Sequence, residues 1–298
     1  MSRRLTVVAA AVLVYLAVAG LFVIAVGGVG RRGEGGGAPL FGPRVAIVEL
    51  EGVIIDVDDV VQELKGLREN PSVRAVVMRI NSPGGVVGPT QEVHDAILRL
   101  RRAGKPVVAS LGAVAASGGY YIAVAADQIY ANPGTLTGSI GVIMQMANFE
   151  QLMKKVGVDY VVVKAGQFKD LGNPGRPMTP DERRVLQTLL DDVHGQFIGA
   201  VASGRKLERE DVVRFADGRV FSGQQAKDLK MVDALGGLED AVLAAGKLAG
   251  LPTPPAVIPP KRKFSFIDLL RNQFGGSAAA ALLRPSLPAF KTPLYLMD

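Results

Sequence analysis

Short apolar runs alternate with helical patterns along most of the chain, and this alternation constrains the fold more than any other feature. Several runs are almost continuously apolar, which is typical of strands covered on both faces. The runs that predict strands are residues 44–50, 73–80, 106–111, 128–133 and 160–166. Helical patterns separate them at residues 58–70, at residues 90–103 and from Ser117 onward. Strands and helices in this order predict an α/β domain with a mostly parallel sheet.

A long helix is predicted after the last of these runs. The sequence TPDE opens it, since Thr179 can cap a helix and Pro180 suits the first helical position. Apolar side chains recur every four residues through residues 179–203 and predict a packing stripe. Beyond Gly250, the prolines of LPTPPAVIPP predict the end of regular structure. Residues 252–298 are therefore expected to be a proline-rich segment and a C-terminal tail.

The amino-acid composition excludes several kinds of functional site. With 298 residues, 48% of them hydrophobic, the chain can bury a large core. It contains no cysteine, which excludes disulfides, thiolate zinc sites and cysteine nucleophiles. The 34 Lys and Arg residues exceed the 28 Asp and Glu residues, but they occur as scattered pairs without interleaved aromatic residues. We therefore expect no nucleic-acid partner, and we predict neither a metal nor a cofactor.

The beginning of the chain predicts a membrane anchor. Residues 5–26 carry no charge and are numerous enough, as a helix, to cross a hydrocarbon core of about 30 Å. The alternative is a cleaved signal peptide, because AVAG at residues 17–20 offers small side chains, but the apolar stretch is longer than such peptides need. We predict a single-pass protein of the cell membrane, with residues 1–4 in the cytoplasm. Residues 27–43 are predicted to be a glycine-rich linker to an extracytoplasmic folded domain, residues 44–251.

Three glycine-containing loops follow predicted strands: NSPGG at residues 81–85, VAASGGYY around Ser117, and GTLTGSIGV at residues 134–142. The carboxyl ends of parallel strands meet at one edge of a sheet. A serine hydroxyl and glycine N–H groups together suit acyl transfer, with Gly84 or Gly85 and Gly118 as donors to an oxyanion. Each loop also has a simpler interpretation, as a turn or, for Ser117, as a helix cap.

A nucleophilic serine needs a base, and the candidates are few. Both histidines, His94 and His194, lie within helical patterns away from the three loops, so we interpret them as structural. Lys169 lies in the interrupted segment AGQFKDLGNPGRPMT beside apolar residues, where exclusion of water would favour a neutral amine. The alternative is a solvated loop lysine paired with Asp170.

The segments INSPGG, ASGGYY, TGSIGV and KAGQFKDLGNPGRPMTPDE resemble the signature segments of the signal peptide peptidase A family, and the resemblance extends over residues 45–246. The family contains membrane-bound serine proteases with a ClpP/crotonase-like fold of repeated ββα units. The resemblance implies that Ser117 is the nucleophile, Lys169 the general base, Gly84 and Gly118 the oxyanion hole, and Ser139 a partner of the lysine amine. The sequence DLGNP departs from the commoner pattern after the lysine and leaves the shape of that loop in doubt.

The resemblance also implies partners. This chain carries one repeat, as the short form of the family does, which implies a ring of several copies. The implied substrates are signal peptides and other apolar segments in the membrane. Two alternatives remain open from the sequence: a non-proteolytic crotonase-fold enzyme acting on acyl-CoA, and a catalytically silent membrane scaffold.

Overall fold

The computed structural model describes residues 42–261, and a mostly parallel sheet forms the centre of that region. Its strands are β1 (Arg44–Glu51), β2 (Val73–Ser82), β3 (Val107–Ala116), β4 (Gln128–Ala131), β5 (Leu136–Gly138), β6 (Val220–Ser222), β7 (Ala234–Leu235) and β8 (Val257–Ile258). They lie in the order β6-β5-β3-β2-β1-β8, and β4 pairs with β3 and β7. Only the β5–β6 pair is antiparallel among the described strands. The predicted α/β class is confirmed.

Four helices, at residues 58–69, 87–102, 118–123 and 180–205, lie where the sequence predicts them, and the other four helices of residues 42–261 were not predicted. All eight helices are numbered here in chain order. They are α1 (Asp58–Glu69), α2 (Val87–Arg102), α3 (Gly118–Ala123), α4 (Glu150–Lys155), α5 (Pro180–Arg205), α6 (Arg209–Val213), α7 (Gly223–Asp228) and α8 (Leu238–Leu248). Both faces of the sheet are covered. On β2, Val76 and Met78 belong to the larger apolar cluster, whereas Ala75 and Val77 belong to a second cluster that includes Ala241 of α8. The near-continuous apolar runs follow from this double burial.

The long helix α5 begins with the predicted cap. Thr179 Oγ1 accepts a hydrogen bond from the Glu182 N–H at 3.2 Å, and the Thr179 N–H donates to the Glu182 carboxylate at 2.8 Å. This reciprocal pair satisfies two N–H groups that a helix start otherwise leaves without partners. The second half of α5 buries Phe197, Ile198 and Val201 in the core. The first half leaves apolar side chains exposed.

The predicted strand at residues 160–166 is wrong. Residues 160–164 have no regular secondary structure, and residues 165–166 form a bend. The segment pairs with no strand of residues 42–261, and Val161 and Val163 are 81% and 96% exposed. A run of valines fits a strand only where a neighbouring strand completes the hydrogen bonds. The described part of this chain offers no such neighbour.

The predicted end of regular structure after Gly250 is also wrong. Strand β8 pairs in parallel with β1, and the Val45 N–H donates to the Ala256 carbonyl at 2.9 Å. The prolines lie on both sides of Val257 and Ile258 rather than within the strand, so the N–H groups of these two residues are retained at the edge of the sheet.

The predicted anchor at residues 5–26, its cytoplasmic flank and most of the linker lie outside the described residues, as does the tail from residue 262. Within residues 42–261, no helix combines the length and hydropathy required to cross a bilayer.

Candidate active site

The three glycine-containing loops meet at one edge of the sheet, as predicted. Strand register brings them together: Ser82 of β2 lies opposite Ala115 of β3, and Ala116 of β3 lies opposite Gly138 of β5. The next residue after Ala116 is Ser117, which joins β3 directly to α3.

Ser117 occupies a strained backbone conformation. Its φ of +50° and ψ of −119° lie in a region that residues with a side chain rarely adopt. Two hydrogen bonds hold it there: its N–H donates to the Gly138 carbonyl at 2.8 Å, and its carbonyl accepts from the Tyr121 N–H at 2.9 Å. Ser117 precedes α3, but its hydroxyl makes no capping hydrogen bond. The helix-cap interpretation is therefore wrong, and the strain, typically about 1–3 kcal/mol, indicates a functional position.

The loop before α2 approaches Ser117 so closely that only glycine fits. Gly84 has a φ of +110°, and a Cβ there would lie 2.9 Å from both Gly118 N and Ser117 Cβ. The Gly84 N–H donates to the buried Ser82 Oγ at 3.1 Å. This N–H is therefore already used within the loop.

The neighbouring Gly85 N–H is better placed as an oxyanion donor than that of Gly84. It has no acceptor among residues 42–261, and the N–H of Gly118, at the first position of α3, has none within its helix. A Cβ on Gly118 would lie 3.3 Å from Gly85 N, so the two residues are neighbours. Both line a cleft together with Ser117, whereas Gly84 does not line it. The resemblance implies Gly84 for this role, whereas in the structure the N–H group that lies at the cleft beside Gly118 is that of Gly85.

We call this cavity the Ser117 cleft. Its walls are mainly apolar and come from α2, α3, α5 and the segment after β5. The apolar lining residues are Val87, Tyr121, Val142, Val193 and Phe197. Thr90 and Gln91 contribute polar groups, and none of the described lining residues is acidic. The sequence predicts that Val193 and Phe197 belong to a packing stripe, and in the structure they also line the Ser117 cleft.

Neither histidine lines the Ser117 cleft. The His94 ring packs against Tyr121 with centroids 4.9 Å apart, and burial lowers the pKa of this imidazole. His194 Nε2 is buried without a hydrogen-bond partner among the described residues. Both environments agree with the interpretation of these residues as structural.

Lys169 lies on the segment between β5 and α5 and is exposed, contrary to the expected exclusion of water. It does not line the Ser117 cleft. It is not paired with Asp170 either, because that carboxylate binds Lys164 and Arg176. Within residues 42–261, the Lys169 amine forms no ion pair. The single chain thus assembles the serine part of the predicted site without the lysine.

Ser139 follows β5 and lies close to the turn at Ser117. Its φ is also +50°, its side chain is half-buried, and its N–H donates to the Arg219 carbonyl at 2.8 Å. Gly138 directly before it accepts the hydrogen bond from Ser117, so the two serines are attached to the same short strand.

Comparison with known families agrees with this geometry. The family model described as Peptidase family S49 matches residues 99–252, just over half of the chain, including Ser117 and Lys169. The chain belongs to peptidase family S49. It is accordingly a serine peptidase, and the signal peptide peptidase A resemblance is confirmed. A second family model, described as Clp protease, matches residues 47–137, in agreement with a ClpP-like arrangement of strands and helices.

Several relatives of this S49 peptidase carry protease names. It is 46% identical over 210 residues to the Synechocystis sp. protein named "Putative protease slr0021", covering 70% of this chain and 75% of that protein. It is 35% identical to the Enterococcus faecium protein named "Putative signal peptide peptidase SppA", covering 60% of this chain and 52% of that one. It is also 35% identical to Protease 4 of Salmonella typhi, covering 70% of this chain and only 35% of that longer protein.

Proposed function

We propose that this S49 peptidase is a membrane-anchored endopeptidase that degrades residual signal peptides and other apolar peptides through Ser117 and Lys169. The observation that carries the proposal is the strained turn of Ser117 at an apolar cleft, beside the N–H groups of Gly85 and Gly118. A cleft with these walls suits small or apolar side chains of a peptide. The name of the Enterococcus faecium relative supports the same substrate class. An acyl-CoA enzyme is disfavoured, because no carboxylate lines the described cleft.

The proposed reaction proceeds through an acyl-enzyme. Neutral Lys169 takes the Ser117 hydroxyl proton while Oγ attacks the peptide carbonyl carbon, and the carbonyl π electrons move onto oxygen. The Gly85 and Gly118 N–H groups donate to this oxyanion, a contribution typically worth about 10²–10³ in rate per donor. The C–N bond then breaks, and the leaving amine takes the proton from the Lys169 ammonium. Water, deprotonated by the same amine, hydrolyses the ester and restores Ser117.

The base must reach Ser117 from its exposed position, and assembly of several copies supplies a route. Large apolar side chains of the segment between β5 and α5 are exposed. They are Ile143, Met144, Met146, Phe149, Leu152, Val156, Val158, Tyr160, Val161, Val162, Val163 and Phe168. An apolar surface of this extent is typical of a protein interface. We propose that a ring of copies buries this segment, excludes water from the Lys169 amine and brings it to Ser117, where Ser139 accepts its hydrogen bond.

The predicted anchor fits this substrate class. Residues 5–26 would hold the catalytic domain at the extracytoplasmic face of the cell membrane through the linker at residues 27–43. Signal peptides released from precursor proteins remain in the bilayer, so the enzyme and its substrate would share one surface.

Covalent labelling tests the function. The full-length protein in detergent is treated with a fluorophosphonate and, separately, incubated with a synthetic signal peptide. We expect label on Ser117, and loss of labelling and hydrolysis in both Ser117→Ala and Lys169→Ala. Ser203→Ala, a change at an exposed serine on α5, is the matched control and should behave as wild type. Hydrolysis that persists in Ser117→Ala would refute the assignment of the nucleophile, and hydrolysis that persists in Lys169→Ala would refute the assignment of the base.

Mixing the two inactive variants tests the route of the base. Ser117→Ala and Lys169→Ala chains are co-expressed, and hydrolysis by the mixed assemblies is measured. Recovery of activity would show that the nucleophile and the base come from different copies, whereas no recovery would assign them to the same copy.

A further inference from the structure

Asp170, the residue that follows Lys169, belongs to a cluster of four charged side chains. Arg176 donates to Asp170 Oδ2 from Nε at 3.0 Å and from Nη2 at 2.9 Å. The same guanidinium donates to both carboxylate oxygens of Glu182, from Nη1 at 2.9 Å and from Nη2. Lys164 Nζ donates to Asp170 Oδ1. We call these four residues, Lys164, Asp170, Arg176 and Glu182, the Arg176 cluster; its two cations balance its two anions.

The carboxylates of the Arg176 cluster are well shielded from solvent. The side chain of Asp170 is 10% exposed, and that of Glu182 is 4% exposed. The hydrogen bond from Lys164, followed by that from Arg176, lowers the pKa of Asp170, and the bond from Arg176 lowers the pKa of Glu182 to about 2. Both groups therefore stay ionised at neutral pH. A shielded carboxylate that loses its cation strongly favours another one nearby.

The cluster joins the Lys169 turn to the wall of the Ser117 cleft. Glu182 belongs to the capping box at the start of α5, and the same helix carries Val193 and Phe197 to the cleft. Arg176 thus connects Asp170 to an element that contacts the substrate site. Arg183, the next residue on the helix after Glu182, forms no ion pair with Asp170 within residues 42–261.

A carboxylate at Asp170 could inactivate a neighbouring general base. A carboxylate beside an amine stabilises the ammonium form, which cannot accept the Ser117 proton. In the structure this carboxylate is directed to Lys164, Arg176 and the Asn173 amide at 3.3 Å, and not to Lys169. The Lys169 amine is thereby left without an anionic partner in the described chain.

We propose that Arg176 is a positioning residue for the general base: it holds the Asp170 carboxylate away from the Lys169 amine and fixes the Lys169 turn against α5. This inference rests on the proposed function, because it gives Arg176 a role only if Lys169 is the base. Arg176 itself touches neither the substrate nor the nucleophile in this role.

The test compares Arg176→Gln, Asp170→Asn and the double variant in the full-length protein, measuring kcat and KM for a signal peptide across a range of pH. In Arg176→Gln we expect kcat at neutral pH to fall about ten-fold or more with little change in KM. The pH of half-maximal activity should rise by about 1 to 3, as for an amine that gains a carboxylate neighbour. Adding Asp170→Asn should restore most of kcat and return the half-maximal pH to the wild-type value. Arg184→Gln, which removes an exposed pair with Asp181, is the matched control.

The pH profile and the double variant distinguish a positioning role of Arg176 from a purely structural one. If the cluster only stabilises the fold, Arg176→Gln can lose kcat, but its pH of half-maximal activity will stay at the wild-type value, and the proposal is overturned. It is also overturned if Arg176→Gln matches Arg184→Gln in kcat and pH profile. Should Arg176→Gln not fold, Asp170→Asn alone decides: an unchanged half-maximal pH supports the proposal, and a shifted one overturns it. Retained activity in Lys169→Ala would instead refute the proposed function itself.

Discussion

Replacing Ser117 with glycine should make the protein more stable than replacing it with alanine. Both variants lack the hydroxyl and should be inactive. The difference lies in the backbone, because the φ of +50° and ψ of −119° strain any residue with a Cβ and are readily adopted by glycine. The strain relieved is about 1–3 kcal/mol. Glycine also makes the unfolded chain more flexible, which offsets about 0.4–1 kcal/mol of this gain.

The net advantage of Ser117→Gly over Ser117→Ala is therefore about 1–2 kcal/mol. For a domain of this size, that corresponds to a Tm higher by about 2–8 °C. Thermal unfolding of the two variants, followed by far-ultraviolet circular dichroism under identical detergent conditions, measures this difference directly.

An exposed serine on an ordinary helix provides the control. At Ser203 of α5 the order should reverse, with Ser203→Ala more stable than Ser203→Gly by about 0.5–1 kcal/mol, because alanine is the better helix former. Equal stability of the two Ser117 variants, or greater stability of Ser117→Ala, would falsify the claim that the turn at Ser117 stores strain.

Three further changes test other parts of the molecule. Tyr120→Phe removes the hydrogen bond that the fully buried hydroxyl donates to the Met231 carbonyl at 2.9 Å, and should reduce the free energy of unfolding by about 1–2 kcal/mol at neutral pH. Because burial raises the pKa of Tyr120, this hydroxyl ionises above pH ~10 only in the unfolded chain. The free energy of unfolding of the wild type should therefore fall above pH ~10 more steeply than that of Tyr120→Phe. Chemical denaturation measures both, and parallel plots of this free energy against pH would contradict the prediction. Val161→Asp with Val163→Asp should leave the Tm within a few degrees, since both side chains are exposed, but should reduce the assembled mass in light scattering and the hydrolysis rate together; full assembly would exclude these valines from the interface. Deletion of residues 1–43 should move the protein out of the membrane fraction, and continued sedimentation with membranes would argue against the predicted anchor.

The parts of the fold that the sequence predicts are those with strong, local patterns. Strands β1 to β3 are long and buried on both faces, so their apolar runs are unmistakable, and the TPDE start of α5 forms the capping box that its residues favour. Strands β5 to β8 contain two or three residues each, too few for any periodicity to appear. Residues 160–166 show the opposite failure, because a strand-like composition cannot supply the neighbouring strand that it needs.

The candidate site, like the fold, could be predicted from the sequence only in part. Paired glycines beside Ser117 predict a close backbone approach. The structure confirms it, because a Cβ would lie 2.8 Å from Thr90 Oγ1 at Gly118 and 2.8 Å from the Ser82 carbonyl oxygen at Gly119. The Ser82 hydroxyl accepts the hydrogen bond of the Gly84 N–H and so leaves, of Gly84 and Gly85, only the Gly85 N–H for an oxyanion. No local sequence pattern predicts this hydrogen bond. The partners of Asp170 likewise depend on the folding of the loop between Lys164 and Glu182, so the sequence alone could not exclude a pair with Lys169.

The strained turn of Ser117 and the N–H groups of Gly85 and Gly118 line the cleft within one copy, while the amine at position 169 remains in solvent. If neighbouring copies complete the site, a newly made chain diffusing alone in the bilayer would be latent without any inhibitory pro-segment. Turnover would then rise more steeply than in proportion to the number of chains per unit of membrane area, and crowding in the lipid would act as the switch.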